Sequence, residues 1–576
     1  MVGALNPKAQ MPDRRSLLST MKNIKAGVLK GIRDILQGEH VCITTDGWTS
    51  VSNDTYMSLT VSFINKAWKL VTFSLNCSKS SGTTTGNDLA DGVQKKLKEH
   101  SLETRVVGCV TDCEPSMVKM GRNLEAAGVC THIGCVNHRL EKTTSIVFNG
   151  PGVKRAMALA RSLATRYTQS SQAADTLEKM ANVIPGLEPL KVIQDVVTRW
   201  WSSHAMVDRL LYLRPAIEMH ESMHNVEPIL TNEDWRILEL IRPVLEPFMV
   251  AQRTLEGHQY VTGSLVIPTV HDLREGLKEA IRMVPGMRCV IDGEDDDEYG
   301  SMLDDDDRAV CAVKNCAKAL LKDFNERWGD GTTNLVYKEG KRKQPQGFKT
   351  VQVLSTALDP RTKMLYGFSD DEQEEVWDLV VKEATKMGNE GRQDTQPESQ
   401  GRPLPTKHSR SMDTLSGTKH PRRLSGFMAA AQADSDEDEE ASEIGTADAD
   451  LVENTARLQV AAFRGMKRIP VYDEKNGRKA YRDPLAWWSE KEATIPLLAQ
   501  LARRVLAVPA TQAHSERLFS CAGNVVTKTR NSLSPEHVEL LVFLRSTWQV
   551  AEEYGVEIDA EGASKALKEI VFVNDA

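Results

Sequence analysis

The sequence predicts an α/β protein whose mixed sheet is followed by a large all-helical region. Short β-rich runs cluster between Val41 and Val136 and are interleaved with helical patterns, the order expected of an α/β core. Beyond Pro151 that alternation gives way to long three- and four-residue apolar periodicity, which is helical. With 576 residues, 40% of them hydrophobic and 26% charged, the chain exceeds one small module and has enough apolar surface for a sizeable core.

Each element has a local reason. Leu18, Met21, Ile24, Val28, Ile32 and Leu36 recur on one helical face, so residues 1–40 read as a helical lead-in. Val41 to Thr45 is β-rich and runs into Asp46-Gly47. Met57, Leu59, Val61 and Phe63 alternate with polar partners, as do Val71, Phe73 and Leu75, and the short gaps between these runs suit antiparallel neighbours. Leu89 to Leu97 reads as a helix, Val106 to Val110 as a buried strand ending in Thr111-Asp112, and Gly128 to Val136 as a strand before a helix from about His138. The sheet region is therefore 41–150. The helical region, 151–387, includes Ala156 to Tyr167, His204 to His220, Asn232 to Leu255 and Ala309 to Trp328. Residues 388–454 are rich in Ser, Gly, Asp, Glu, Gln and Pro, and such a composition predicts a disordered acidic linker. Order is expected again over 455–548, with helices at Ile495 to Leu506, Thr511 to Phe519 and His537 to Trp548, before a tail at 549–576.

Net charge is −8, which at first argues against a nucleic-acid partner. Yet Asp292 to Asp307 holds ten acids and Asp434 to Glu443 seven, with no Lys or Arg in either; without those two runs the balance is +9. Both runs read as solvated loops on a mildly basic body. No apolar stretch approaches the roughly 18 residues of a membrane span, the first residues do not form a secretory leader, and ten scattered cysteines fit a reducing compartment. A soluble intracellular chain, with no membrane partner, is the expectation. Lys341-Arg342-Lys343 and Arg422-Arg423 are candidate nuclear import signals.

Two carboxylates end β-rich runs: Asp46 and Asp112. Strand ends hold short acidic side chains with little conformational freedom to lose. A pair of such acids suits hard divalent ions, which take oxygen ligands and serve phosphoryl transfer. The competing reading is that both are turn residues, since Asp-Gly is a common turn.

The run Pro509-Ala510-Thr511-Gln512-Ala513-His514-Ser515-Glu516-Arg517-Leu518-Phe519-Ser520 resembles the C-terminal dimerisation region of the hAT transposase family. The resemblance extends through Lys528 to Pro535 and Leu541 to Leu544. Upstream it takes in Thr45-Asp46-Gly47-Trp48-Thr49-Ser50, Thr111-Asp112, Cys135-Val136-Asn137-His138, Thr198-Arg199-Trp200, Leu358-Asp359-Pro360-Arg361 and Asp483-Pro484-Leu485 with Trp487-Trp488. It implies an RNase H-like mixed sheet core interrupted by a large all-helical insertion and completed by the C-terminal dimerisation segment. It also implies a catalytic triad of Asp46, Asp112 and Glu516 holding Mg²⁺ or Mn²⁺. DNA contacts fall on Cys135, His138, Arg199 and Trp200, with the indole stacking an extruded base. The implied partners are transposon ends and target DNA, together with a second copy or a higher oligomer, in the nucleus.

Other readings of these residues stand beside the resemblance. Glu516 could be an exposed helix acid paired with a base, Cys135 and His138 a packed core pair, and Trp200 a core indole. Cys130, His132, Cys135 and His138 crowd nine positions, but that spacing matches no finger or ribbon site, so structural zinc is not expected. Two departures bear on activity. The BED-type zinc finger usual ahead of the core has no counterpart before Cys42. After Asp112, Cys113 and Ser116 stand where the family has Asn, with Pro115 between them. An inactive, transposase-derived dimerisation and DNA-binding protein is the alternative.

Overall fold

The computed structural model describes residues 13–50, 53–80, 85–196, 200–257, 259–283, 305–329, 338–339, 345–393, 444–475, 478–526 and 533–555. Its centre is a five-stranded mixed sheet. Strands β1 (Val41–Thr49), β2 (Thr55–Ile64), β3 (Leu70–Lys79), β4 (Val106–Thr111) and β5 (Thr131–Gly134) lie in the order β3-β2-β1-β4-β5. The first three are antiparallel neighbours, while β4 runs parallel to β1 and β5 parallel to β4. The helices Gly86–Glu99 and Pro115–Ala126 supply the crossovers that parallel pairing requires.

The sheet is buried on both faces. Ile43, Val61, Phe63, Val106 and Cys109 pack under the leading helix Arg14–Ile35 and the last helix, Pro535–Glu553. Cys42, Ile64, Val110 and Ile133 join the core of the helical region. The leading helix starts where Asp13 caps it, accepting the Arg15 and Ser16 amides at 2.8 and 3.1 Å, and buries Met21, Ile24, Val28 and Ile32 on the face their spacing predicts.

Several expectations are corrected. Asp46-Gly47 is not a turn: β1 continues to Thr49, with Asp46 opposite Ser58 and Gly47 opposite Met57, because β2 offers a continuous partner. The helix at Asp370–Gln393 passes the expected boundary at residue 388, and the helix Ile444–Gly465 starts ahead of 455. Gly388 looks like a helix breaker but marks a close helix crossing, where an added Cβ would stand 2.7 Å from Val452 Cγ1. Residues 394–443, with the second acidic run, lie outside the described residues, as do the two basic clusters. The first acidic run is described only from Asp305, where a helix to Trp328 begins; acids suit a helix N-terminus. The last helix runs five residues past Trp548, to Glu553. A hairpin of Tyr472–Lys475 and Arg478–Tyr481 was not anticipated, although Asn476-Gly477 is a hairpin signal in the sequence.

Two matched motifs are structural pins. Arg361 and Asp359 are both wholly buried and paired at 2.6 Å, and the guanidinium also donates to the carbonyls of Val261 and Arg482. Trp488 stacks on Trp68 of the sheet at 5.9 Å and donates to the Leu358 carbonyl at 2.9 Å. Together they fasten the helices after residue 151 to the sheet and to the C-terminal segment.

Candidate active site

Parallel pairing sets Thr44 opposite Val110. Two residues further along each chain stand Asp46 and Asp112, side by side on the face turned towards the helical region. Asp46 Oδ1 accepts the Gly47 amide at 2.8 Å, and Asp112 Oδ1 accepts the Glu114 amide at 3.0 Å. The second bond shapes the entry to the helix that opens on Pro115, a residue suited to a first helical turn.

Glu516 arrives from the other end of the chain. Its helix, Ala513–Val525, packs on β1 and β2. The neighbouring Ser515 is fully buried, and its hydroxyl meets Thr44 Oγ1 at 2.9 Å. Thr44 Oγ1 in turn meets Thr60 Oγ1 across the β1–β2 pair. Glu516 itself is exposed and lies in the first helical turn.

The acids feel one another. Burial pushes the Asp46 carboxyl up to about 7, helped by the charges of Asp112, Glu516 and Glu114 and opposed by the Gly47 amide. Among the described residues, no three His, Cys, Asp or Glu side chains form a closed metal-holding group as they stand. The donor set nevertheless fits a hard divalent cation: three carboxylates from three elements, one held protonated by its neighbours' charge and one free to move.

Beside the acids opens a cavity of about 860 Å³, lined by Asp46, Glu516, Arg517, His138, Trp200 and Trp201 among others. His138 therefore faces the same space as two of the acids. Cys135 does not: it is fully buried, it caps the helix Val136–Asn149 from inside the core, and desolvation drives its thiol far up. Cys130 belongs to the core on the other side of the sheet, and His132 bonds Thr111 Oγ1 at 2.9 Å. Arg199 lies outside the described residues. Trp200 is only 5% exposed and packs edge-on against Phe248, whereas Trp201 is 40% exposed. The motif selects Trp200, but the accessible indole is its neighbour.

Sequence reasoning also missed the far wall. Asn137, Gln252 and Glu256 line the cavity, and the Glu256 carboxylate accepts from both amides. Burial raises its pKa, against the Gln252 bond and with the Glu516 charge. Asn137 sits inside the matched Cys135–His138 element, but Gln252 and Glu256 follow an ordinary amphipathic pattern that carries no such signal.

A sheet that gathers two aspartates and a distant glutamate beside an open cavity is the layout of a nuclease-like phosphoryl-transfer site. The hAT family C-terminal dimerisation region matches residues 466–548, and the ZBED1 RNase-like domain matches residues 44–132. The chain thus belongs with the hAT transposases and the transposase-derived BED-domain proteins. It is 22% identical to the Putative AC transposase of Zea mays, over 89% of this chain and 57% of that protein. It is 21% identical to the Putative transcriptional regulator tpeD of Talaromyces stipitatus, over 90% of this chain and 54% of that protein. With human Zinc finger BED domain-containing protein 4 the identity is 22%, over 73% of this chain and 29% of that protein. The chain spans about half the length, or less, of these curated relatives.

Among the described residues no helix is long and apolar enough to cross a membrane.

Proposed function

We propose that this chain is a hAT-type transposase core: an RNase H-like sheet, interrupted by a helical insertion, that cleaves and joins DNA with Asp46, Asp112 and Glu516 as a Mg²⁺- or Mn²⁺-holding triad. The observation that carries the reading is the rise of the Asp46 carboxyl to about 7 under the charges of Asp112 and Glu516. Structural ion pairs normally lower such a value, and a rise in a cleft points to function. It acts as a nuclear, DNA-bound dimer or larger assembly, the dimerisation region providing self-association and DNA being both element end and target.

When bound, divalent ions would activate the attacking oxygen and stabilise the leaving one. The chain's own residues do the rest. Asp46 must lose its proton before it can serve as a ligand. Glu516, on the first turn of its helix, closes the set while buried Ser515 holds that turn against β1. Arg517 and His138 stand at the cavity to meet phosphate, and Trp201 offers an accessible face for a base. Cleavage of one strand would leave a 3′-hydroxyl to attack the opposite strand, closing a hairpin on flanking DNA. The excised end would then attack target DNA.

A second reading, a catalytically silent regulator that keeps dimerisation and DNA binding, is favoured by the altered run after Asp112, which adds the Glu114 charge to a site already crowded with acids. Purified protein on pre-nicked DNA with Mg²⁺ or Mn²⁺ decides between them. Strand transfer that disappears in Glu516→Gln supports the enzyme; DNA-bound dimer with equal, background transfer in both proteins supports the regulator.

A further inference from the structure

The cavity wall opposite the acids carries an arrangement that neither strand cleavage nor metal binding uses. Asn137 Nδ2 donates to Glu256 Oε1 at 2.7 Å, and Gln252 Nε2 donates to the same oxygen at 2.5 Å. Glu256 follows the end of the helix Asn232–Leu255, so Gln252 reaches it from one turn earlier, while Asn137 reaches it from the first turn of another helix. A carboxylate only accepts hydrogen bonds. Both amides are therefore held in one orientation, NH₂ towards Glu256 and carbonyl away. The two carbonyl oxygens, Asn137 Oδ1 and Gln252 Oε1, are buried without a hydrogen-bond partner, and so is the Trp200 Nε1–H donor in the same wall. Asn137, Gln252 and Trp200 are each more than nine-tenths buried. Buried polar atoms are almost always paired, and unpaired ones gathered around a cavity mark where a ligand is expected to complete the set.

We propose that Glu256 sets the base preference of this cavity: by locking both amides it makes the wall a double hydrogen-bond acceptor, which takes a nucleobase presenting an amine or paired N–H donors and rejects thymine. The proposal rests on the DNA-binding reading given above and adds the chemistry of the base. Adenine and cytosine each present an exocyclic amine, and guanine presents adjacent N–H donors. Thymine presents a single N–H flanked by two carbonyls, which would confront the two protein carbonyls and leave all four oxygens unpaired. Sites built around fixed hydrogen-bond groups discriminate strongly against ligands that cannot pair with them. Without Glu256 the amides could flip, and the wall would accept either pattern.

The test is binding of the full chain, followed by fluorescence anisotropy at fixed salt, to a duplex carrying one unpaired nucleotide beside a nick. The nucleotide is adenine, cytosine, guanine, thymine or an abasic residue. Adenine, cytosine and guanine duplexes are expected to bind at least about fivefold more tightly than thymine, and in Glu256→Gln the difference should shrink below about twofold. If all four bases bind alike and more tightly than the abasic duplex, the base-preference proposal falls while the DNA reading stands. Retention of the wild-type preference in a folded Glu256→Gln protein also overturns it. If no DNA binds at all, both fall. Should Glu256→Gln not fold, the wild-type series still decides, and Gln252→Leu, which deletes one acceptor, is expected to weaken the preference partially.

Discussion

Ser515 Oγ lies 2.9 Å from Thr44 Oγ1, with both residues buried. Residues 471 positions apart are thereby fastened together, one just before Glu516 and the other two before Asp46. The spacing of the acids depends on that contact more than on any property of the acids themselves.

Ser515→Ala should therefore leave Thr44 with a depleted set of partners at the sheet face. A buried hydroxyl stripped of one partner costs about 1–2 kcal/mol. The expected outcome is a urea midpoint lowered by that amount, together with a fall in strand transfer that higher Mn²⁺ partly restores. An unchanged midpoint would mean that the bond does not hold the helix.

A second expectation concerns pH. The Asp46 carboxyl stands at about 7 in the native chain, against about 3.9 in an unfolded one. Between those values the native state keeps a proton that the unfolded state has released, so this group's contribution makes stability fall as pH rises through the window. Asp46→Asn removes the titration. It should melt above wild type at pH 8, by an amount of order 1–4 kcal/mol, and with wild type near pH 4. Mn²⁺ should raise the wild-type melting temperature at pH 8 more than that of Asp46→Asn, and Mn²⁺ affinity should climb as pH passes about 7. Thermal melts across pH with and without Mn²⁺ check this; a difference that does not vary with pH would contradict it.

The two adjacent tryptophans separate binding from packing. Trp201→Ala removes an accessible face from the cavity and should weaken single-stranded DNA binding by about 1–3 kcal/mol while sparing the melting temperature. Trp200→Ala empties a packed position against Phe248 and should cost about 3–5 kcal/mol of stability. Equal effects of both changes on binding and melting would erase the distinction.

Much of the strand order was legible because alternating β-rich runs with short gaps leave few pairings, and the leading helix was legible from a single apolar face. The continuation of β1 through Asp46-Gly47 was not. A dipeptide common in turns is overruled when a long partner strand supplies hydrogen bonds on its flank, as β2 does here. Gly388 misled for a similar reason, since a residue that usually ends helices also permits close crossings, and only the neighbouring Val452 and Leu497 distinguish the two uses.

At the site, Asp46, Asp112 and Glu516 were recognisable from motifs that stay contiguous in the chain. Which indole faces the cavity was not recognisable, because Trp200 and Trp201 are chemically identical and differ only in the direction the helix turns them. The wall of Asn137, Gln252 and Glu256 was also hidden: its members come from separate helices with unremarkable patterns.

By itself the sequence determined the element types, the residues able to carry charge and chemistry, and the likeness to hAT proteins, since these depend on local periodicity and short runs. Only the tertiary structure decided which carboxylates share an electrostatic environment, which side chains reach the open space, and how two amides are oriented. Those properties arise from distances between elements hundreds of residues apart, and they are set by packing and by the desolvation that packing imposes.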